Sequence, residues 1–208
     1  MCRRVFILGS TGSIGTSAIE VICHLNELSP DSYNVVGLAA KTSKELLLKQ
    51  AHALEVSAIS LSSETIDYKN FSNSAVELLS EHAQQGDLVI AAMVGFDGIA
   101  PVLKAIEIGC DIALANKECL VAAGELIMNE VDGSSSTMIP IDSEHSAIYQ
   151  ALGHNSSKAI QKVILTASGG SLRDFSNHEI SNATVDDVLN HPTWDIGQKV
   201  PVDSASLM

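Results

Sequence analysis

Val5-Phe6-Ile7-Leu8-Gly9-Ser10-Thr11-Gly12-Ser13-Ile14-Gly15 is the stretch that decides the fold. Four consecutive apolar residues read as a strand buried on both faces, and a glycine-spaced turn follows them at once. Ala18, Ile19, Ile22 and Leu25 then fall on one face of a helix over residues 16–25. Strand, glycine turn and helix in that order is the context a dinucleotide fingerprint requires, although the spacing is GxxGxxG rather than GxGxxG. Glycines let the backbone turn tightly and approach a pyrophosphate, which sits on the N–H groups of the helix N-terminus. The hydroxyls of Thr11 and Ser13 are candidate additional donors.

Working outward, short β-branched runs recur at residues 34–40, 56–61, 87–93, 111–115, 138–141 and 162–166. Leu46, Leu47, Ala51 and Leu54 share a helical face between two of them, and Pro101 opens a further helix near its first turn. Alternating strands and helices imply crossover units and a parallel sheet. The expected fold is therefore α/β, a doubly wound, Rossmann-like parallel sheet. Asp132-Gly-Ser-Ser-Ser136 is the clearest linker signal, which places a domain boundary between 1–131 and 132–208.

The rest of the composition limits function. The chain has 208 residues, 46% of them hydrophobic and 18% charged, with 14 glycines and 5 prolines, which suits a folded core and excludes low-complexity classes. No apolar run approaches the ~18–20 residues of a membrane-spanning helix, so no membrane partner is expected. The Met-Cys-Arg-Arg start meets Gly9 too soon for a signal peptide. A net charge of -13, thinly spread, argues against a nucleic-acid partner. Cys2, Cys23, Cys110 and Cys119 form no CxxC, which fits reduced thiols in a cytoplasmic protein.

Several further positions carry chemistry. The second strand exits into Lys41-Thr42-Ser43, with no acid where an NAD site keeps one, about 20 residues after the turn. A cation and two hydroxyls there suit a 2′-phosphate, so NADP is the expected cofactor. Asn116-Lys117-Glu118 stands at a strand's carboxyl end, where ligands bind in open parallel sheets, although a capped helix start explains it equally well. Asp142 and Glu144 are two apart after an extended run, which would send both carboxylates to one face and suit magnesium or manganese. A helix N-terminus rich in acids is the competing explanation. Ala167-Ser168-Gly169-Gly170-Ser171 could nest a phosphate at a strand end. His191-Pro192-Thr193-Trp194 holds the only tryptophan and reads as a lid or as a core anchor, and Ser204 is a further hydroxyl.

The glycine turn, Ala115-Asn-Lys-Glu118, Asp142-Ser-Glu-His145, Thr166-Ala-Ser-Gly-Gly170, His191-Pro-Thr-Trp194 and Val202-Asp-Ser-Ala205 occur in this order over the whole chain. The combination resembles the 1-deoxy-D-xylulose 5-phosphate reductoisomerase family. That resemblance implies an enzyme of non-mevalonate isoprenoid biosynthesis, with NADPH and a divalent metal as cofactors. Its substrate would be a small sugar phosphate, rearranged and reduced to 2-C-methyl-D-erythritol 4-phosphate. Thr11, Gly12, Ser13 and Ile14 match the NADPH-contacting turn, and Asn116 and Glu118 match cofactor-side residues. Lys117 and Ser143 match substrate contacts, and Asp142 and Glu144 match metal ligands. Ser168, His191 and Ser204 match residues that hold the substrate backbone or phosphate, and Trp194 matches a lid residue.

The family places a glycine, a variable residue and asparagine where Lys41-Thr42-Ser43 stand here. It also continues past the position of Met208 into Asn-Lys-Gly-x-x-Glu and a helical region, and its members form homodimers. The expectation is thus a fragment ending within an α+β catalytic domain, inactive by itself. Two other readings compete. One is an NADP-binding module without catalysis. The other is a semialdehyde-dehydrogenase-like oxidoreductase, for which Cys119 is the only candidate nucleophile.

Overall fold

The computed structural model describes residues 2–153, 160–164 and 170–190. The chain divides into two compact units, Met1–Asp142 and Ser143–Met208. In the first, β1 (Arg3–Leu8), α1 (Ser13–Leu28), β2 (Tyr33–Ala40), α2 (Lys44–Ala53) and β3 (Ala58–Leu61) alternate in sequence. They are followed by β4 (Phe71–Ser72), α3 (Ala75–His82), β5 (Leu88–Ala91) and a 3-10 turn at Phe96–Gly98. The unit is completed by α4 (Ile99–Ile108), β6 (Asp111–Leu114), α5 (Lys117–Asp132) and β7 (Met138–Pro140).

These strands form one sheet in the order β4-β3-β2-β1-β5-β6-β7, with every pairing parallel. β1 shows how the apolar run builds both cores. Phe6 and Leu8 face one side, with Leu78 and Leu79 of α3, Val102 and Ile106 of α4, and Ile127 of α5. Val5 and Ile7 face the other, with Ile22 of α1 and Leu47 and Ala51 of α2. These four apolar residues of β1 have no exposed surface, as a strand covered on both faces requires. Helices on two faces of a parallel sheet make the architecture doubly wound, as expected.

The strand order reverses beside β1, which lies between β2 and β5. The carboxyl ends of these three strands therefore diverge into a crevice. The amino ends are tied instead. Arg4 Nε donates to Asp87 Oδ1 at 3.0 Å and its guanidinium to the His82 carbonyl at 2.6 Å, while Arg3 pairs with Asp111. The two arginines of β1 thus pin the starts of β5 and β6, away from the crevice.

The structure adds to the sequence reading, or departs from it, at three places. Segment 132–136 runs inside the first unit, because β7 beyond it pairs with β6 and extends the sheet. Residues 162–164 belong to no strand; residues 165 and 166 of that expected run lie outside the described residues. β4, only two residues long, is too short for alternation to reveal. The second unit contains α6 (Ser143–Leu152), α7 (Asn177–Ser181) and α8 (Val185–Leu189). Both short helices begin in capping boxes, Ser176 with Glu179 and Thr184 with Asp187.

Candidate functional site

The glycine turn is shaped by backbone crowding at two of its three glycines. Gly9 has a φ of 86°, and a Cβ there would stand 2.5 Å from the Ala92 carbonyl oxygen. A Cβ on Gly15 would stand 2.3 Å from the Gly9 carbonyl oxygen, so the first turn of α1 can pack down only without one. Gly12 is different. Its Cβ position has the Gly9 carbonyl as sole neighbour, at 3.4 Å, and the residue is exposed at the N-cap of α1. The protein itself leaves that space open, which is the cradle a pyrophosphate would occupy. No side chain caps α1, so its first N–H groups remain for a ligand.

Around this turn lies a cleft of about 580 Å³ lined by Gly9, Thr11, Gly12, Ala39, Ala40, Lys41, Met93, Val94, Asp97 and neighbouring residues. It occupies the carboxyl ends of β1, β2 and β5, the place where ligands bind in such sheets. Another hollow, about 400 Å³ beside His52 and Tyr68, lies at the amino end of β3. Thr11, Gly12 and Lys41 therefore converge on one cleft. Ser13 and Ile14 stand beside it in the first turn of α1, both exposed. Thr42 and Ser43 continue from Lys41 and are exposed, and Ser43 opens α2 without a side-chain cap bond.

Sequence reasoning missed the opposite wall of the cleft, the loop from Gly95 to Gly98. Gly95 takes a φ of 76°, and Asp97 from the following turn meets Lys41 Nζ at 2.9 Å. The signal in the sequence is a second Gly-x-x-Gly, shortly after the β5 strand. Asn116 holds this loop. Its Nδ2 donates to the Gly95 carbonyl at 2.7 Å, while its Oδ1 accepts from the Cys119 N–H at 3.1 Å and caps α5. A Cβ on Gly98 would stand 2.4 Å from that Nδ2. Both ends of the Asn116 amide are thus engaged within the protein, and the capped helix start is what the structure contains. Glu118 is half-buried in the first turn of α5.

Lys117 pairs with Asp142. Its Nζ lies 3.4 Å from Asp142 Oδ2, and the two side chains retain 10% and 12% of their exposure. Strand β7 ends at Pro140 and α6 begins at Ser143, so alternation along an extended chain does not carry from Asp142 to Glu144. Glu144 instead sits in the first turn of α6, where the helix dipole favours acids, and accepts a 2.6 Å bond from Ser143 Oγ. Asp142 and Glu144 offer hard oxygen donors, the kind magnesium and manganese take. Among the described residues no group of three or more His, Cys, Asp and Glu side chains comes together as a metal centre.

The remaining candidates divide. Ser171 is buried and donates to the Val188 carbonyl at 2.6 Å. Ser168, His191, Trp194 and Ser204 lie outside the described residues. Cys119 is fully buried, and burial with the nearby Glu118 carboxylate pushes its thiol up to about 11. An acylating thiol must be accessible and readily ionised, so the semialdehyde-dehydrogenase reading loses its nucleophile.

A parallel, doubly wound sheet that reverses its order over a glycine turn and an open cleft defines a protein of the Rossmann-like class. Residues 5–124 match the family model of 1-deoxy-D-xylulose 5-phosphate reductoisomerase, and residues 138–208 that of its C-terminal domain. The chain belongs to the 1-deoxy-D-xylulose 5-phosphate reductoisomerase family. It is 39% identical over 219 residues to the reductoisomerase of Clostridium botulinum, covering 99% of this chain and 56% of that protein. With the reductoisomerase of a Thermoanaerobacter species the identity is 41% over 215 residues, covering 99% and 55%. Among solved structures, a reductoisomerase in complex with NADPH, fosmidomycin and magnesium superposes with a TM-score of 0.81 at 34% identity, covering 99% of this chain and 55% of that one. The Zymomonas mobilis enzyme in complex with NADPH gives 0.81 at 31% identity, covering 100% and 55%. The chain thus spans a little over half the length of the relatives it matches.

Proposed function

We propose that this chain supplies the NADPH cleft and part of the metal and substrate site of an enzyme that converts 1-deoxy-D-xylulose 5-phosphate to 2-C-methyl-D-erythritol 4-phosphate. The observation that carries the reading is Gly12, exposed at the N-cap of α1 with open space where a side chain would be, on the floor of the cleft. Backbone N–H groups at Thr11, Ser13 and Ile14 would cradle the pyrophosphate, with Gly12, whose own N–H is held by the Gly9 carbonyl, giving it room. Lys41, with Thr42 and Ser43 beside it, would take the 2′-phosphate. Asn116 acts as a positioning residue for the cleft wall, and Glu118 stands on the cofactor side.

When bound, NADPH supplies the hydride and a divalent ion polarises the substrate's vicinal oxygens. Asp142 and Glu144 would hold that ion, magnesium or manganese. Lys117, a cation in a largely buried position, and Ser143 would orient the anionic substrate. Ser168, His191 and Ser204 are assigned to the substrate backbone and phosphate, and Trp194 to the lid that excludes water, on the family resemblance. A homodimer of the longer enzyme belongs to the same reading, as does a cytoplasmic location, consistent with four unbridged thiols.

The test is titration of NADPH into this chain, followed by nicotinamide fluorescence. Saturable binding that is lost in Gly12→Val, with the fold retained by circular dichroism, is the expected result. A folded chain that shows no saturable binding would overturn the proposal.

A further inference from the structure

We propose that Asp97 sets how strongly the cleft discriminates between 2′-phosphorylated and non-phosphorylated dinucleotides. The inference rests on the dinucleotide reading of the cleft and adds a residue to which that reading gives no role. Lys41 leaves the loop after β2 and Asp97 the loop after β5, and they meet at 2.9 Å across the mouth of the cleft. Their side chains keep 76% and 65% of their exposure, so the pair is weakly held and a ligand can displace it.

Asp97 is nevertheless well placed. The buried Asn116 amide holds the Gly95 carbonyl at 2.7 Å, Gly95 supplies the positive φ, and Gly98 leaves room for that amide. The backbone that carries the carboxylate toward Lys41 is therefore set by the construction of its loop.

Two ligands would meet this pair differently. A 2′-phosphate brings about −1.5 to −2 charges. It must draw Lys41 away from Asp97 and then tolerate the carboxylate nearby, so Asp97 opposes it twice. A ribose carrying a free 2′-hydroxyl leaves the ion pair intact and can donate to the carboxylate, as it does to the acid of NAD sites. Asp97 thus lowers affinity for the phosphorylated form and supports the other, narrowing the preference that Lys41 creates.

The experiment measures dissociation constants of NADPH and NADH for the unaltered chain and for Asp97→Asn, at low and moderate salt. The variant should bind NADPH about three- to tenfold more tightly, with NADH unchanged or weaker and the difference shrinking as salt rises. Equal affinities in the two proteins would overturn the proposal. So would a parallel loss for both ligands, since that is what a merely loosened loop produces. If the folded, unaltered chain binds neither dinucleotide, the reading of the cleft itself fails and this proposal falls with it.

Discussion

Lys117 Nζ and Asp142 Oδ2 stand 3.4 Å apart, joining the first residue of α5 to the chain just beyond β7 in a largely buried pair. Removing one member takes a close counter-charge from the other in a poorly hydrated place. Lys117→Met should therefore lower unfolding free energy by about 3 kcal/mol, seen as a fall in the urea midpoint. Lys117→Met combined with Asp142→Leu should recover part of that loss, because the two opposite charges are removed together. Equal losses in the single and double variants would show that the site depends on packing rather than on charge balance.

The amino ends of the strands carry a comparable dependence. Asp87 is 2% exposed and accepts from Arg4 Nε at 3.0 Å and from the Gln84 N–H at 3.0 Å. Asp87→Ala strips two donors at once and should cost about 3 kcal/mol in chemical denaturation. Dinucleotide binding by the folded fraction should be unchanged, since the cleft lies at the other ends of the strands.

Burial also separates the four thiols. Cys2 and Cys23 are exposed, whereas Cys110 and Cys119 are buried with their thiols pushed up to about 11. For Cys110, desolvation comes first, followed by the nearby Asp87 and Asp111 carboxylates. A thiol reagent read by mass spectrometry should modify two sites in the folded chain and four after unfolding. A raised native pKa means that the unfolded chain loses these protons first. Stability is then full below the ordinary value near 9 and falls as pH rises from there to about 11. Replacing both buried cysteines with alanine should flatten that part of the profile.

The local chemistry of the first unit was legible where burial imposed a pattern. Residues 5–8 read as a strand because both of their faces are covered, and the glycine turn announced the helix behind it. β4 and the turn at Phe96–Gly98 were hidden, since two or three residues carry no period. The linker signal at 132–136 reported local flexibility of composition but not that β7 would rejoin the sheet. The alternation that was read to pair Asp142 with Glu144 does not hold, because a helix start interrupts it between them. Asp97 went unnoticed since its importance comes only from meeting Lys41 across the strand-order reversal, a non-local relation no spacing encodes. Asn116 was found by position, yet its amide turned out to face inward, holding a loop.

That inward role of Asn116 is separable from its cap. Asn116→Asp keeps an oxygen to accept from the Cys119 N–H but replaces the donor that meets the Gly95 carbonyl. Two oxygens would then oppose each other at a distance suited to a hydrogen bond, and the Gly95–Gly98 wall should swing outward. Dinucleotide affinity should fall several-fold while α5 keeps its cap. Asn116→Ala should add the loss of that cap, about 1 kcal/mol of stability. If the aspartate variant binds as tightly as the parent chain, the wall does not depend on this amide.

The three glycines of the first turn offer the cleanest separation of folding from binding. Gly15→Ala places a methyl group 2.3 Å from the Gly9 carbonyl oxygen, against backbone that cannot swing aside, and should cost about 2–3 kcal/mol of stability. Gly12→Ala meets nothing nearer than 3.4 Å and stands exposed at the helix cap, so its thermal midpoint should match that of the parent chain. The methyl group would nevertheless enter the space a pyrophosphate needs, and NADPH affinity should drop at least tenfold. Affinity and stability thus fail at different glycines of one turn. A Gly12→Ala chain that kept both would place the pyrophosphate elsewhere in the cleft.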